Sequence, residues 1–442
     1  MNRRELMLGM GGLGLAGLAA PASAQGQDFK AIAREAWLYG LPLIEMETTR
    51  ARHFKSGAKP NVFAGGRALA DHTSRNVTTP NNDTLYRSAW VDLSGGPVTL
   101  TVPALGDRYW SVAVMDMYTN NNAVLGSRTV GGQGGTFMLA APDQAAPILD
   151  DRTEPYVVRT ATSLVWVLVR VLIDGPEDMA AVQGILAQFT LAGGKPGPAA
   201  PLPVARDADP GAYFGNVRAL MAAYPPPVTD LKIIRRSAGL LGGAPPQTAA
   251  KAVQAHAAAI EAGVAEAREF ARGGWARQAP IQGWTYPPAS LGDFGQDYPF
   301  RAAIALGGLA ALPRVEAMYL RPAAEQDGLF LSDRTWRLSL PAEVPVDAFW
   351  SLSMYEATSD GQLFFTDNPL KRYALGDRTK GLRRRADGGV DIWIGRTDPG
   401  GDRTSNWLPA PKTGPYAVTW RGYLPRPALL NGQWRMPPIE AG

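Results

Sequence analysis

The chain has 442 residues, a formal net charge of +4 at pH 7 and no cysteine. A charge so close to neutrality does not indicate a nucleic-acid or anionic-membrane partner. The lack of cysteine excludes thiol catalysis, iron–sulfur clusters and cysteine zinc sites. Only three histidines are present, so a three-histidine metal centre would need His53, His72 and His256 together.

The first 24 residues have the pattern of an export signal. Arg3 and Arg4 precede an apolar Gly/Ala/Leu stretch, and Ala22-Ser23-Ala24 resembles an A-x-A cleavage site. The arginine pair favours the twin-arginine route. We therefore expect residues 1–24 to be a signal peptide, and the mature chain to be periplasmic or secreted without a membrane span.

The mature chain divides into four segments by hydrophobic period. Residues 25–60 are helical, with a break predicted at Gly40-Leu41-Pro42. Residues 61–176 contain short alternating runs separated by turn residues, which is typical of an antiparallel sandwich or barrel. Residues 177–317 are mainly helical, and residues 318–442 return to strands. The fold class is therefore α+β, with two β domains around an intervening helical region.

The two β domains share short sequence matches. "YWSVAVMDMY" aligns with "FWSLSMYEAT", so Trp110-Ser111 corresponds to Trp350-Ser351. Downstream, "GSRT" at 126–129 corresponds to "GDRT" at 376–379. These matches indicate an internal duplication of structure, although a repeated fold does not require a repeated site.

The polar stretch "TTPNNDTLYRSAW" at 78–90 has two interpretations. Asn81, Asn82 and Asp83 can close an Asx turn after Pro80. The same amides and carboxylate can also form the rim of a binding site, with Tyr86 facing a cleft on the strand that follows.

Other candidates follow in both β domains. Acid–base chemistry without cysteine favours carboxylates and tyrosines, so the catalytic candidates are Asp83, Tyr86, Asp116 and Tyr355. The candidates for substrate binding are Asn81, Asn82, Tyr118, Asn121, Arg128, Arg372, Tyr373, Arg378 and Trp407. The arginines can bind an anion or clamp a loop through a carboxylate, and Trp407 can be a stacking platform or a buried plug.

Several long sequence motifs resemble those of a known pair of protein domains. "LYGLPLIEME", "TPNNDTLYRSAWVDLS" and "RYWSVAVMDMYTNN" resemble the bacterial domain of unknown function 1254. "NPLKRYALGDRT", "NWLPAPKTGPY" and "GQWRMPPI" resemble its companion, domain of unknown function 1214. The resemblance implies two jelly-roll-like β domains joined by helices, and it implies no reaction. Glu356 stands where such sequences often have aspartate.

Three functions agree with these observations. The first is an exported enzyme that acts on a small polar or saccharide-like molecule through carboxylates and tyrosines. The second is a non-catalytic periplasmic protein that binds a ligand or an envelope component. The third is a β protein stabilised by Ca²⁺ at its Asn/Asp loops. The partner expected is a small molecule rather than nucleic acid, a homo-oligomer is a weaker expectation, and no cofactor or metal ligand is assigned.

Overall fold

The computed structural model describes residues 28–75, 78–145, 156–242, 251, 254–273, 279–359 and 361–442. The predicted signal peptide, residues 1–24, lies outside the described residues. Within the ranges given, no helix is both long enough and apolar enough to cross a bilayer.

The helices in these ranges are mostly short, and most of them pack against one long helix. They are α1 Phe29–Lys55, α2 Met179–Ala187, α3 Pro210–Ala223, α4 Leu231–Arg236, α5 Ala238–Leu241, α6 Ala257–Gly273, α7 Tyr298–Gly307 and α8 Pro427–Leu430. Asp28 caps α1 by accepting hydrogen bonds from the backbone of Lys30 and Ala31.

Helix α1 continues through Pro42, whereas the sequence predicts a break there. Its middle is almost entirely buried against α3, α6 and α7, so tertiary packing outweighs the backbone hydrogen bond that a proline removes. Glycine is required at position 40 for helix packing and does not end the helix. A Cβ at this position would lie 2.6 Å from Cγ2 of Val217 on α3.

The first β unit contains two sheets. Its strands are β1 Ala64–Gly65, β2 Thr84–Asp92, β3 Val98–Val102, β4 Trp110–Asp116, β5 Asn121–Gly126, β6 Gly135–Ala140, β7 Tyr156–Arg159, β8 Leu164–Leu172 and β9 Thr190–Gly193. The larger sheet has the antiparallel order β1-β2-β8-β4-β5, and the smaller has the order β7-β6-β3-β9. One hydrophobic cluster joins the facing sides of the two sheets.

The second β unit repeats this plan. Its strands are β10 Trp284–Thr285, β11 Ala317–Pro322, β12 Trp336–Leu340, β13 Val346–Ala357, β14 Leu363–Phe364, β15 Ala374–Gly376, β16 Val390–Gly395, β17 Trp407–Pro409, β18 Tyr416–Pro425 and β19 Ile439–Ala441. The larger sheet has the order β10-β11-β18-β13-β14, with β15 also paired to β13, and the smaller has the order β17-β16-β12-β19. They also share one hydrophobic cluster.

The predicted α+β class is confirmed. Helices accompany four antiparallel or mixed sheets, and none of these sheets closes into a barrel among the described strands. Two of the shorter strands, β9 and β10, lie within residues 177–317, where the pattern is mainly helical.

The aligned motifs occupy equivalent positions in the two larger sheets. Ser111 pairs with Gly126 on the neighbouring strand, and Ser351 pairs with Gly376. A Cβ at either glycine would lie within 2.5 Å of the carbonyl oxygen of the preceding tryptophan, Trp110 or Trp350. The repeated glycine is therefore needed for close approach of two strands.

The two larger sheets meet through aromatic side chains. The rings of Phe349 and Tyr423 stack at 4.2 Å, and Tyr109 of the first sheet contacts Tyr423 at 5.3 Å. The rest of the same face of the first sheet, including Trp90 and Trp166, packs against α1, α3 and α6. One face of the first large sheet therefore packs partly against the second large sheet and partly against the helices, and a cavity lies where these two partners meet.

Candidate ligand-binding cavity

A cavity of about 330 Å³ lies between the two larger sheets and the helices. This volume is near the lower end of the ~300–1,000 Å³ range of small-molecule sites. Helix α1, the residues after α7, both sheets and residues 78–81 contribute to its walls. The side chains that matter for its chemistry are His53, Asn81, Tyr86, Trp166, Leu168, Arg170, Leu309, Tyr319, Arg321, Thr419, Arg421 and Tyr423.

Three arginines enter the cavity from different strands. Arg170 on β8 donates from Nη2 to the carbonyl of Ala310 at 2.7 Å, while its buried Nη1 has no hydrogen-bond partner among the described residues. Arg421 on β18 donates to Ser353 Oγ at 2.8 Å and to the carbonyl of Thr79 at 3.1 Å. The Arg321 guanidinium on β11 forms no hydrogen bond with the described part of the chain.

None of the three guanidiniums lies within 4.0 Å of a described carboxylate. Two buried carboxylates nearby have other partners: Asp83 accepts from Ser351 Oγ at 2.6 Å, and Glu316 pairs with Arg128 at 2.7 Å. Burial without a counterion lowers the pKa of Arg321 to about 10. The cavity is therefore electropositive, and its charge lacks direct compensation within the described residues.

Three tyrosine hydroxyls face the same space. Nδ2 of Asn81 donates to Tyr86 at 3.1 Å and to Tyr423 at 2.8 Å, while the backbone N–H of Leu312 donates to Tyr319 at 3.3 Å. None of these hydroxyls donates to a described residue. Burial raises the pKa of Tyr319 and of Tyr423, so both hydroxyls stay protonated at neutral pH.

His53 was not among the sequence candidates, yet it lines the cavity. The indole N–H of Trp90 donates to its Nδ1 at 3.1 Å. Because an indole nitrogen can only donate, Nδ1 must be the unprotonated nitrogen, and neutral His53 carries its proton on Nε2. Burial, with Arg52 nearby, lowers the pKa of His53 and favours this neutral form.

The Asn81–Asp83 stretch forms the predicted turn, and Asn81 also lines the cavity. Oδ1 of Asn81 accepts from the backbone N–H of Asp83 at 2.9 Å, which is an Asx turn. Its Nδ2 bridges Tyr86 and Tyr423, which belong to opposite sheets. The cavity thus contains Asn81 and Tyr86 among the sequence candidates. Asn82 makes no side-chain hydrogen bond with a described residue and does not line the cavity.

Asp83 and Tyr355 lie behind the wall of the cavity, beside Arg421. The hydroxyl of Tyr355 donates to the carbonyl of Pro80 at 2.7 Å, and its ring centroid lies 5.8 Å from the Arg421 guanidinium. Burial raises the pKa of Asp83, although the Ser351 hydrogen bond and the Arg421 charge oppose this shift. These two candidates hold residues 78–83 against the second sheet.

The remaining candidates of the first β unit have structural contacts outside the cavity. Asp116 accepts from the backbone of Tyr118 and Asn120, which closes the β4–β5 turn. The hydroxyl of Tyr118 donates to the carbonyl of Tyr224 at 2.9 Å. Asn121 donates to the carbonyls of Gly292 and Ala311, and Arg128 pairs with buried Glu316.

The candidates of the second β unit also lie outside the cavity. Arg372 donates to the carbonyls of Thr404 and Trp407, so it clamps a loop. Trp407 is buried and donates to the carbonyl of Gly395 at 2.9 Å, as a plug would. Tyr373 shares a hydrogen bond with His72 at 2.9 Å, and Arg378 forms an exposed ion pair with Asp174.

The sequence contains a signal for the arginines of the cavity, because two of them interrupt apolar strand-like runs. Arg170 is the one charged residue in the apolar run "SLVWVLVRVLI", and Arg421 stands in "YAVTWRGYLP". A charge within a strand buried on both faces is costly unless it is paired or functional. No group of three or more His, Cys, Asp or Glu side chains that could hold a metal occurs among the described residues.

The fold and the cavity together define a protein of two linked β units with an arginine-rich internal site. Residues 60–193 match the family model "Protein of unknown function (DUF1254)", and residues 316–427 match "Protein of unknown function (DUF1214)". The chain therefore belongs to the DUF1254/DUF1214 family, as its motifs predict. No curated protein matches the chain.

Two solved structures resemble this one. The crystal structure of the VPA0106 protein from Vibrio parahaemolyticus is 23% identical, has a TM-score of 0.68, and is matched over 94% of this chain and 100% of its own. An uncharacterized protein from Burkholderia cenocepacia is 15% identical with a TM-score of 0.43, over 90% of this chain and 91% of its own. At 23% identity, the likeness to the Vibrio protein shows the fold alone.

Proposed function

We propose that the protein binds a small organic anion in the cavity between its two β units. The observation that carries this proposal is an excess of hydrogen-bond donors over acceptors. Arg170 Nη1, the Arg321 guanidinium and the tyrosine hydroxyls have no acceptor among the described residues. An anion with several oxygens would supply acceptors and charge at once.

The energetic cost of burying three cations supports a functional role. A buried charge without a partner destabilises a fold, and replacement by apolar residues is often neutral or stabilising. Arg170 and Arg421 are each about 5% or less exposed, and Arg321 has no ion pair. Three cations around one cavity, none with a described carboxylate within 4.0 Å, are better explained by a bound anion than by the stability of the fold.

The test is a thermal-shift screen of the purified protein against carboxylates, phosphate, sulfate, neutral sugars and divalent ions, with and without EDTA. A ligand present at 100 times its Kd stabilises the native state by about 2.7 kcal/mol. We expect carboxylates to raise the midpoint of the wild type and to lose most of that effect in Arg321→Met. Arg378→Gln, which changes an exposed arginine outside the cavity, should respond as the wild type does. Stabilisation by neutral sugars or Ca²⁺ alone would reject the proposal.

An enzyme acting on the bound molecule is the second candidate function. It is favoured by two proton-transfer groups in the same cavity, the Tyr86 hydroxyl and the neutral His53 imidazole. Asp83 and Tyr355, two of the original catalytic candidates, would then position Arg421. Loss of turnover in Tyr86→Phe with retained binding would support catalysis, and unchanged turnover would exclude Tyr86 from it.

We further propose that the mature protein acts in the periplasm or outside the cell, since residues 1–24 have the pattern of a signal peptide, with twin-arginine features. The two β units would each be a jelly-roll-like sandwich. N-terminal sequencing of the exported protein tests the cleavage site, and a start at Gln25 is the expected result.

A further inference from the structure

The cavity has a chemical gradient along strand β8. Trp166, Leu168 and Arg170 all line it, and as alternate residues they lie on one face of the strand. At about 3.3 Å per residue, the run from Trp166 to Arg170 spans roughly 13 Å. The wall therefore changes from a guanidinium to an aliphatic side chain to an indole ring.

The two ends of this run have different surroundings. Arg170 pairs across the sheet with Tyr86, and its Cζ lies 5.4 Å from the centroid of that ring. At the other end the rings of Trp166 and His53 meet edge to face at 5.7 Å. The buried Trp166 Nε1 has no hydrogen-bond partner in the described chain, so this end is aromatic and uncharged but keeps an unsatisfied N–H donor.

On β8 the middle of the run is apolar, while Ser88, the cross-strand neighbour of Leu168 on β2, adds one hydroxyl to the cavity. Leu168 lies between the two ends, and Leu309 and Ala310 line the cavity with it. Hydroxyl groups placed against these side chains would lose their hydrogen bonds to water without replacement. Carbon placed there would be removed from water favourably.

We infer that the ligand is an elongated amphipathic organic acid, with its anionic head among the arginines and its carbon chain or ring along Leu168 towards Trp166. This inference rests on the proposed function and narrows it. It also differs from the saccharide-like substrate expected from the sequence, because a sugar acid would set hydroxyls against Leu168.

The test is calorimetric titration of the purified protein with acetate, butyrate, hexanoate, octanoate and gluconate. Burial of one methylene is worth about 0.8 kcal/mol, so Kd should fall about fourfold for each methylene added. The gain should stop when the chain reaches the end of the roughly 13 Å run. Gluconate should bind no more tightly than acetate.

Variants separate cavity binding from nonspecific binding of an alkyl chain. Leu168→Thr keeps a residue suited to a strand and should reduce the octanoate-to-acetate affinity ratio about tenfold or more. Leu309→Ser, outside any regular strand, tests the same wall if the first variant does not fold. Leu370→Ser removes an exposed leucine outside the cavity and should leave the ratio unchanged.

The outcomes distinguish two failures. Equal Kd values for all the fatty acids, or tightest binding of gluconate, would overturn the amphipathic ligand while the anion site remained. Equal loss of the ratio in Leu168→Thr and Leu370→Ser would show nonspecific binding and would also overturn it. No binding of any anion would reject the proposed function itself.

Discussion

Replacement of Arg321 by methionine should stabilise the unliganded protein, although it removes a side chain from the candidate site. In the folded protein the pKa of Arg321 is lowered from its ordinary value to about 10, because its charge is buried without a counterion. A tenfold change in proton affinity corresponds to about 1.4 kcal/mol, so charged Arg321 destabilises the folded state by up to about 3 kcal/mol. Because the side chain is partly exposed to the cavity, screening by water reduces the expected gain to about 1–2 kcal/mol.

The sign of this effect also fixes its dependence on pH. The folded-state pKa of Arg321 lies below its ordinary value, so the destabilisation is fully present below pH 10 and disappears as the pH rises from there towards the ordinary pKa of arginine. Urea unfolding at pH 7 without added anions measures this gain in the free energy of unfolding as a shift of the urea midpoint, with the m-value unchanged. Arg321→Lys keeps a charge at this position and should show little or none of it. A methionine variant less stable than the wild type would refute the reasoning, since Arg321 would then have a stabilising partner.

Three further predictions concern the surroundings of the cavity. Burial lowers the pKa of His53 below its ordinary 6.5, so the stability of the wild type should fall as the pH drops below 6.5. His53→Gln should reduce this loss of stability between pH 7.5 and 5.5, whereas His256→Gln, at an exposed position, should not. Equal stability curves for the two variants would contradict the prediction. Asn81→Ala should cost about 2 kcal/mol in urea unfolding, because it removes an Asx turn and the bridge between two tyrosine hydroxyls; a cost below about 0.5 kcal/mol would show that the bridge is unimportant. Arg378→Gln should cost less than about 1 kcal/mol, because its ion pair with Asp174 is exposed. A larger loss would mean that this pair contributes substantially to holding the two β units together.

Much of the architecture could be predicted from the hydrophobic period of the chain. The alternation in "PVTLTVP" and "RYWSVAVMDMY" corresponds to β3 and β4. The break predicted at Pro42 was wrong because a local rule about proline competes with the burial of α1 on several sides. A single sequence does not show which helices will surround another one.

The cavity was only partly predictable for a related reason. Asn81 and Tyr86 were found because they belong to one polar stretch. Arg170 and Arg421 are 251 positions apart, and only the packing of two sheets brings them to one cavity. Asp116 and Arg372 were candidates by residue type alone. In the structure Asp116 closes a turn and Arg372 clamps a loop, and neither lines the cavity.

The internal duplication explains why the cavity has two similar walls. Tyr86 pairs in register with Arg170 in the first sheet, and Tyr319 pairs with Arg421 in the second. All four side chains line the same cavity. Two copies of one tyrosine–arginine pair, one from each β unit, therefore give the site more positive charge than either unit would supply alone.

The two copies of the tyrosine–arginine pair differ in the residues that precede the arginine, and this difference would fix the orientation of a bound ligand. Two residues before Arg170 stands Leu168, and two residues before Arg421 stands Thr419, which lines the cavity from the second sheet. The buried Oγ1 of Thr419 has no hydrogen-bond partner among the described residues, so β18 presents a polar side chain where β8 presents an apolar one. A symmetric pair of walls would bind an anion in either of two orientations. Because only the first wall continues through leucine to Trp166, an acid with a carbon tail would bind in one orientation, with the tail against β8.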